Sequence, residues 1–129
     1  MSLVEVKLKL EFETGEIVTA TLKKTLAPIT IERLLRNSPY QTRCYYFGAK
    51  TVIYFPVYVK IGEEKGIYDL KKGDVFYWLV GESIGIALKD IRFPQRVNLI
   101  GKIDDGLEKL MNLKTGTSVK ITLSEISEV

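Results

Sequence analysis

At 129 residues, 46% apolar and 27% charged, the chain is expected to be a single domain (residues 1–129) with one core; it is too apolar for disorder and has no apolar run long enough to cross a bilayer. The net charge is only +3, with 19 basic residues scattered among 16 acids, so no nucleic-acid partner is expected. Histidine is absent and Cys44 is the only cysteine, which excludes Ser-His-Asp and Cys-His catalysis, an intramolecular disulfide and a zinc site with nitrogen and sulfur ligands.

In chain order, Val4, Val6, Leu8, Leu10 and Phe12 alternate with Glu5, Lys7, Lys9 and Glu11, the period of a half-buried strand. Thr14 and Gly15 supply a turn into a second strand over residues 17–22. Pro28 opens a short helix carrying Ile31, Leu34 and Leu35, and Asn37, Ser38 and Pro39 end it. Residues 42–47 and 51–55 read as aromatic-rich strands around a hairpin loop at Gly48, Ala49 and Lys50, with Pro56 at a strand end. Residues 57–61 are extended, and Gly62 to Gly66 reads as the most exposed and mobile loop.

Beyond it, Lys71, Lys72, Gly73 and Asp74 form a turn, and residues 75–80 are a strand bearing Phe76, Tyr77 and Trp78. Residues 84–88 form an apolar strand in which Gly85 signals a bulge or close backbone approach. Residues 89–95 read as a polar loop. Residues 97–103 are a strand, Leu107, Leu110, Met111 and Leu113 mark a helix with Asp104 and Asp105 at its start, and Val119, Ile121 and Leu123 a last strand. Many short strands and few helices predict a mainly β fold: a closed eight-stranded barrel with two short helices capping its ends.

The segment VNLIGKIDDGLEKLMNL, followed by GTSVKITL, resembles the carboxyl-terminal third of cyclophilins. Ala27-Pro28 before a helix and GESIGIALKD at residues 81–90 resemble the cyclophilin pattern too. The chain is similar above all to the uncharacterised cyclophilin-like proteins of archaea and thermophilic bacteria, through Tyr54-Phe55-Pro56-Val57, Gly73-Asp74-Val75 with Tyr77, Trp78 and Gly81, and Ile100-Gly101-Lys102-Ile103 with Gly106. Abundant Lys, Glu, Ile and Tyr with few amides suit a thermophile, and one cysteine suits a reducing, cytoplasmic setting.

The resemblance implies a cyclophilin-like barrel and brings prolyl isomerisation to mind. Yet the position of the cyclophilin catalytic arginine falls on Phe47, that of the glutamine on Phe55, and that of the tryptophan near residues 91–93. No catalytic residue, cofactor or metal is therefore expected. The expected function is non-catalytic: binding a peptide segment or small ligand in an aromatic groove formed by Phe47, Phe55, Tyr77, Trp78, Arg92 and Phe93. The alternatives are a peptidyl-prolyl isomerase with a non-standard site, using Arg43 or Arg92, and a homodimeric interaction module paired through exposed aromatics and an edge at residues 54–59. Cys44 is expected to be buried and inert.

Overall fold

The structure, a computed structural model, describes residues 4–127. Ten strands run in the order β1 (Val4–Phe12), β2 (Ile17–Lys23), β3 (Tyr40–Arg43), β4 (Tyr45–Phe47), β5 (Val52–Pro56), β6 (Ile67–Leu70), β7 (Asp74–Trp78), β8 (Ser83–Ala87), β9 (Ile91–Asp105) and β10 (Ser118–Ser127). Helix α1 (Pro28–Arg36) follows β2, and a 3-10 helix (Leu107–Asn112) precedes β10. All pairings are antiparallel, in the spatial order β3-β10-β1-β2-β9-β7-β8-β5-β4, with β6 added on β9.

The expected closed eight-stranded barrel does not form: the sheet has ten strands and is open. The seam lies at Cys44, where the single strand expected over residues 42–47 divides. The Cys44 N–H donates to the Thr117 carbonyl and its own carbonyl accepts from the Gly116 N–H, so the turn before β10 uses both backbone groups. Thus β3 and β4, consecutive in the chain, end up at opposite margins of the sheet. The margins are linked by the Thr42 hydroxyl, which donates to the Pro56 carbonyl at 2.6 Å, and not by a backbone ladder among the described residues.

A second departure is β9, fifteen residues long, which includes most of the expected polar loop. Its first half pairs with β6 and its second half with β2 and β7. The register with β6 shifts between Ile67 and Asp69, around Pro94, where a missing N–H removes no ladder bond.

One face of the sheet encloses the main core. Val6, Leu8, Leu10, Val18, Ala20 and Leu22 come from the alternating strands, and α1 adds Ile31 and Leu34 across one end. A smaller core lies on the opposite face, where Phe76, Val52 and Ala87 are covered by Leu70, Phe93 and Val97 of the β6–β9 hairpin. This second layer accounts for aromatics in excess of what one core needs.

Asp104 and Asp105 are the last residues of β9, not a helix cap. The position before the 3-10 helix is Gly106, at φ 96°, with no side-chain cap. The Asp104 carboxylate instead accepts from Lys7 at 2.5 Å and Thr21 at 2.7 Å, which ties β9 to β1 and β2.

Loop 62–66, expected to be the most mobile, is docked. Ala27 at the N-cap of α1 offers no side-chain acceptor, and Pro28 has no N–H. Glu64 fills the gap from the loop: its carboxylate accepts from Ile29 N–H at 3.0 Å, Thr30 N–H at 2.8 Å and the Thr30 hydroxyl at 2.8 Å. Asn98, fully buried on β9, completes the clasp by accepting from Glu64 N–H at 2.7 Å and donating to Thr30 Oγ1 and the Gly62 carbonyl, both at 3.0 Å.

Candidate functional site

Side chains alternate across a strand, so neighbours on β7 face opposite cores. Tyr77 is fully buried in the main core, where its hydroxyl donates to the Val59 carbonyl. Phe55 is fully buried there as well, its ring 6.1 Å from that of Phe12. Phe47, Trp78 and Phe93 meet on the other face, with ring centroids 5.0 Å apart for Phe47 and Phe93, 6.0 Å for Phe47 and Trp78, and 5.6 Å for Trp78 and Phe93. Arg92 belongs to neither group; it pairs with Asp69 at 3.3 Å and lies 4.7 Å from the centre of the Tyr68 ring. Three of the six expected site residues therefore come together.

Tyr54 and Tyr45 extend this cluster. They are direct partners across β4 and β5, with rings 5.7 Å apart, and Tyr54 meets Trp78 edge-on at 5.3 Å. Tyr45, Phe47, Tyr54 and Trp78 are all half-buried, each keeping part of a ring at the surface. The Trp78 indole N–H donates to Gln95 Oε1 at 2.6 Å, which fixes the ring's orientation.

Two glycines let these rings lie close on the backbone. A Cβ at Gly81 would stand 2.3 Å from Trp78 Cε3, and one at Gly85 would stand 2.4 Å from Phe76 Cζ. The Gly85 interruption of an apolar run was the visible trace of this packing. On the segments that follow β5 and β7, Tyr58 and Val80 are 79% and 70% exposed. Tyr58 holds a φ of 57°, costly for a bulky residue; its N–H and that of Val57 both donate to the Glu82 carbonyl.

The chemistry on offer is that of ring faces and one carboxamide. Among the described residues no lysine or arginine lies over a ring of the cluster; the cation contacts are Lys50 over Tyr46 and Arg92 and Arg96 over Tyr68. Arg43 donates to the Gly116 carbonyl at 2.8 Å, on the turn before β10. The Cys44 thiol is buried, and desolvation pushes its pKa up, away from the reactive thiolate. Burial likewise pushes the Tyr40 phenol up to about 12, with the Tyr77 phenol adding to the rise. Among the described residues no three cysteine or carboxylate side chains gather closely enough to hold a metal ion, and no helix is long and apolar enough to cross a membrane.

The Cyclophilin-like family matches the chain over residues 6–122. Among solved structures, the hypothetical protein AF2241 from Archaeoglobus fulgidus, known from a solution structure, is 27% identical, with a TM-score of 0.78 over 93% of this chain and 95% of its own. McbB, solved in complex with tryptophan, superposes with a TM-score of 0.74 at 14% identity, a likeness of fold. It covers 89% of this chain, which spans 44% of McbB. No curated protein matches the chain.

Proposed function

The chain belongs to the Cyclophilin-like family, and from that premise we propose that it is a non-catalytic binding module for an extended, proline-containing peptide segment. The segment lies on the exposed edges of Tyr45, Phe47, Tyr54 and Trp78. The observation that carries this reading is the Tyr45, Tyr54, Trp78 ring series, half-buried and held in place by packing and by Gln95. Aromatic rows of this kind suit a polyproline-type strand, which is already extended, has no internal hydrogen bonds and loses little entropy on docking.

The absence of catalysis is supported by the positions that matter in cyclophilins. Phe47 is part of the ring cluster, Phe55 is interior, and Arg43 and Arg92 are engaged elsewhere.

Trp78 is the sole tryptophan, so its emission reports directly on the site. Titration with a capped proline-rich decapeptide should give a saturable emission change, and Tyr54→Ala should weaken binding roughly tenfold, the scale of losing one aromatic anchor. No emission change, or equal affinity in Tyr54→Ala, overturns the proposal. Acceleration of prolyl isomerisation in the same peptide would transfer the reading to an isomerase, and concentration-dependent self-association without peptide binding would transfer it to a homodimeric module.

A further inference from the structure

Trp78 on β7 stands opposite Val97 on β9, and Gln95 lies two residues before that partner. Burial alternates along this part of β9: Phe93 and Val97 are buried, Gln95 is half-buried, and Arg92, Pro94 and Arg96 are exposed. Gln95 is therefore the diagonal neighbour of Trp78 on the face of the aromatic cluster, a backbone separation of about 7–8 Å that a long side chain can bridge.

Their contact fixes which way the carboxamide points. An indole N–H only donates, so it must meet the amide oxygen, and Gln95 Oε1 accepts it at 2.6 Å. The amide nitrogen Nε2 is thereby turned away from the indole with two hydrogens to give. It has no partner among the described residues, and no buried side-chain nitrogen or oxygen among them goes without one, so Nε2 is open to solvent beside the ring row. The flanking cations are drawn elsewhere, Arg92 to Asp69 at 3.3 Å and Arg96 to Glu63 at 2.8 Å. What Gln95 offers is a neutral donor of fixed direction, and its complement is a neutral acceptor such as a peptide carbonyl.

We infer that Gln95 is the specificity-determining residue of the peptide surface: its Nε2 donates to a backbone carbonyl of the bound segment while its Oε1 keeps the Trp78 indole in place. The inference rests on the peptide reading above and adds the group that reads the backbone. A proline-rich segment suits this donor, because proline has no N–H and a polyproline helix spends none of its carbonyls internally. The ring faces accept apolar side chains of many kinds, whereas the single amide donor sets where along the segment the contact is made.

The test measures calorimetric affinity of the full chain for the capped proline-rich decapeptide, with near-ultraviolet circular dichroism as the monitor of Trp78. Gln95→Glu keeps an acceptor for the indole and loses the donor at neutral pH, so it should bind about tenfold more weakly with the Trp78 signal unchanged, the scale of one lost hydrogen bond. Gln95→Met loses both contacts and should weaken binding with the Trp78 signal altered. In a second arm each carbonyl oxygen of the decapeptide is replaced in turn by sulfur, a weaker acceptor. One position should weaken binding to the wild type, and that discrimination should vanish in Gln95→Glu. The scan on the wild type decides alone where Gln95→Glu disturbs the Trp78 signal. Wild-type affinity in Gln95→Glu, or a scan in which no position stands out, overturns the inference and leaves the peptide reading intact. A wild type that binds no decapeptide overturns both.

Discussion

Gly101→Ala is expected to lower the stability of the fold by about 3 kcal/mol or more, the upper range for forcing extra volume into a packed interior. Gly101 pairs with Leu22 across β2 and β9. A Cβ there would fall 2.1 Å from the Thr21 carbonyl oxygen and 2.8 Å from Leu22 Cα. Both are backbone atoms and cannot swing aside as a side chain end would. Relief requires prising β9 from β2, and β9 is the strand on which β2, β6 and β7 all converge. Gly15→Ala is the control: its φ of 100° strains an alanine, but nothing lies within 4 Å, so its cost should be about 1 kcal/mol. Urea unfolding of both variants checks the ranking. A midpoint for Gly101→Ala at or above that for Gly15→Ala would contradict the close-approach account.

Asn98→Ala is expected to cost about 2–3 kcal/mol, because it leaves buried partners without hydrogen bonds. Asn98 is fully buried and holds Glu64 N–H, Thr30 Oγ1 and the Gly62 carbonyl together. Its loss should also loosen loop 62–66, which hydrogen exchange at Glu64 and Thr30 would detect.

The same clasp gives a pH signature. Desolvation pushes the Glu64 carboxyl up, but the N–H groups of Ile29 and Thr30, the Thr30 hydroxyl and the Lys65 charge outweigh it and hold the carboxyl below its usual range. A carboxyl with a lowered folded-state pKa contributes stability that is present above its unfolded pKa and is lost as pH falls through the folded one. Wild type should therefore be more stable than Glu64→Gln at neutral pH, with the gap closing in acid, measured as unfolding midpoints across the acidic range. A gap that stays constant with pH would contradict the charged cap.

Much of the frame was legible in local pattern. The period-two run of β1 placed that strand, the turn at Thr14 and Gly15 placed β2 after it, Pro28 placed the start of α1, and Gly85 announced a close approach now seen as atom-to-atom contact; that of Gly101 was not read from the sequence. What was not legible depends on partners distant in sequence. Nothing near Cys44 says that the turn at 114–117 will take its backbone groups, so the opening of the sheet was hidden. Nothing in the run from Gly62 to Gly66 says that Glu64 will cap a helix thirty-four residues upstream, so a docked clasp read as a mobile loop.

The site was legible in residue type and only partly in placement. Tyr77 and Trp78 are adjacent on one strand and cannot share a face, and strict use of that alternation separates them without coordinates. The same rule pairs Trp78 with Tyr54 in place of Phe55 once the register of β5, β8 and β7 is known. Gln95 as the partner of the Trp78 indole had no sequence signal, since it rests on β9 folding back over the sheet.

Amide chemical-shift mapping with the proline-rich decapeptide tests the central claim most directly. The account predicts perturbations centred on Tyr45, Tyr54, Trp78 and Gln95, with the β1 and β2 amides unmoved. Perturbations centred on β1 and β2, or none at saturating peptide, would contradict it.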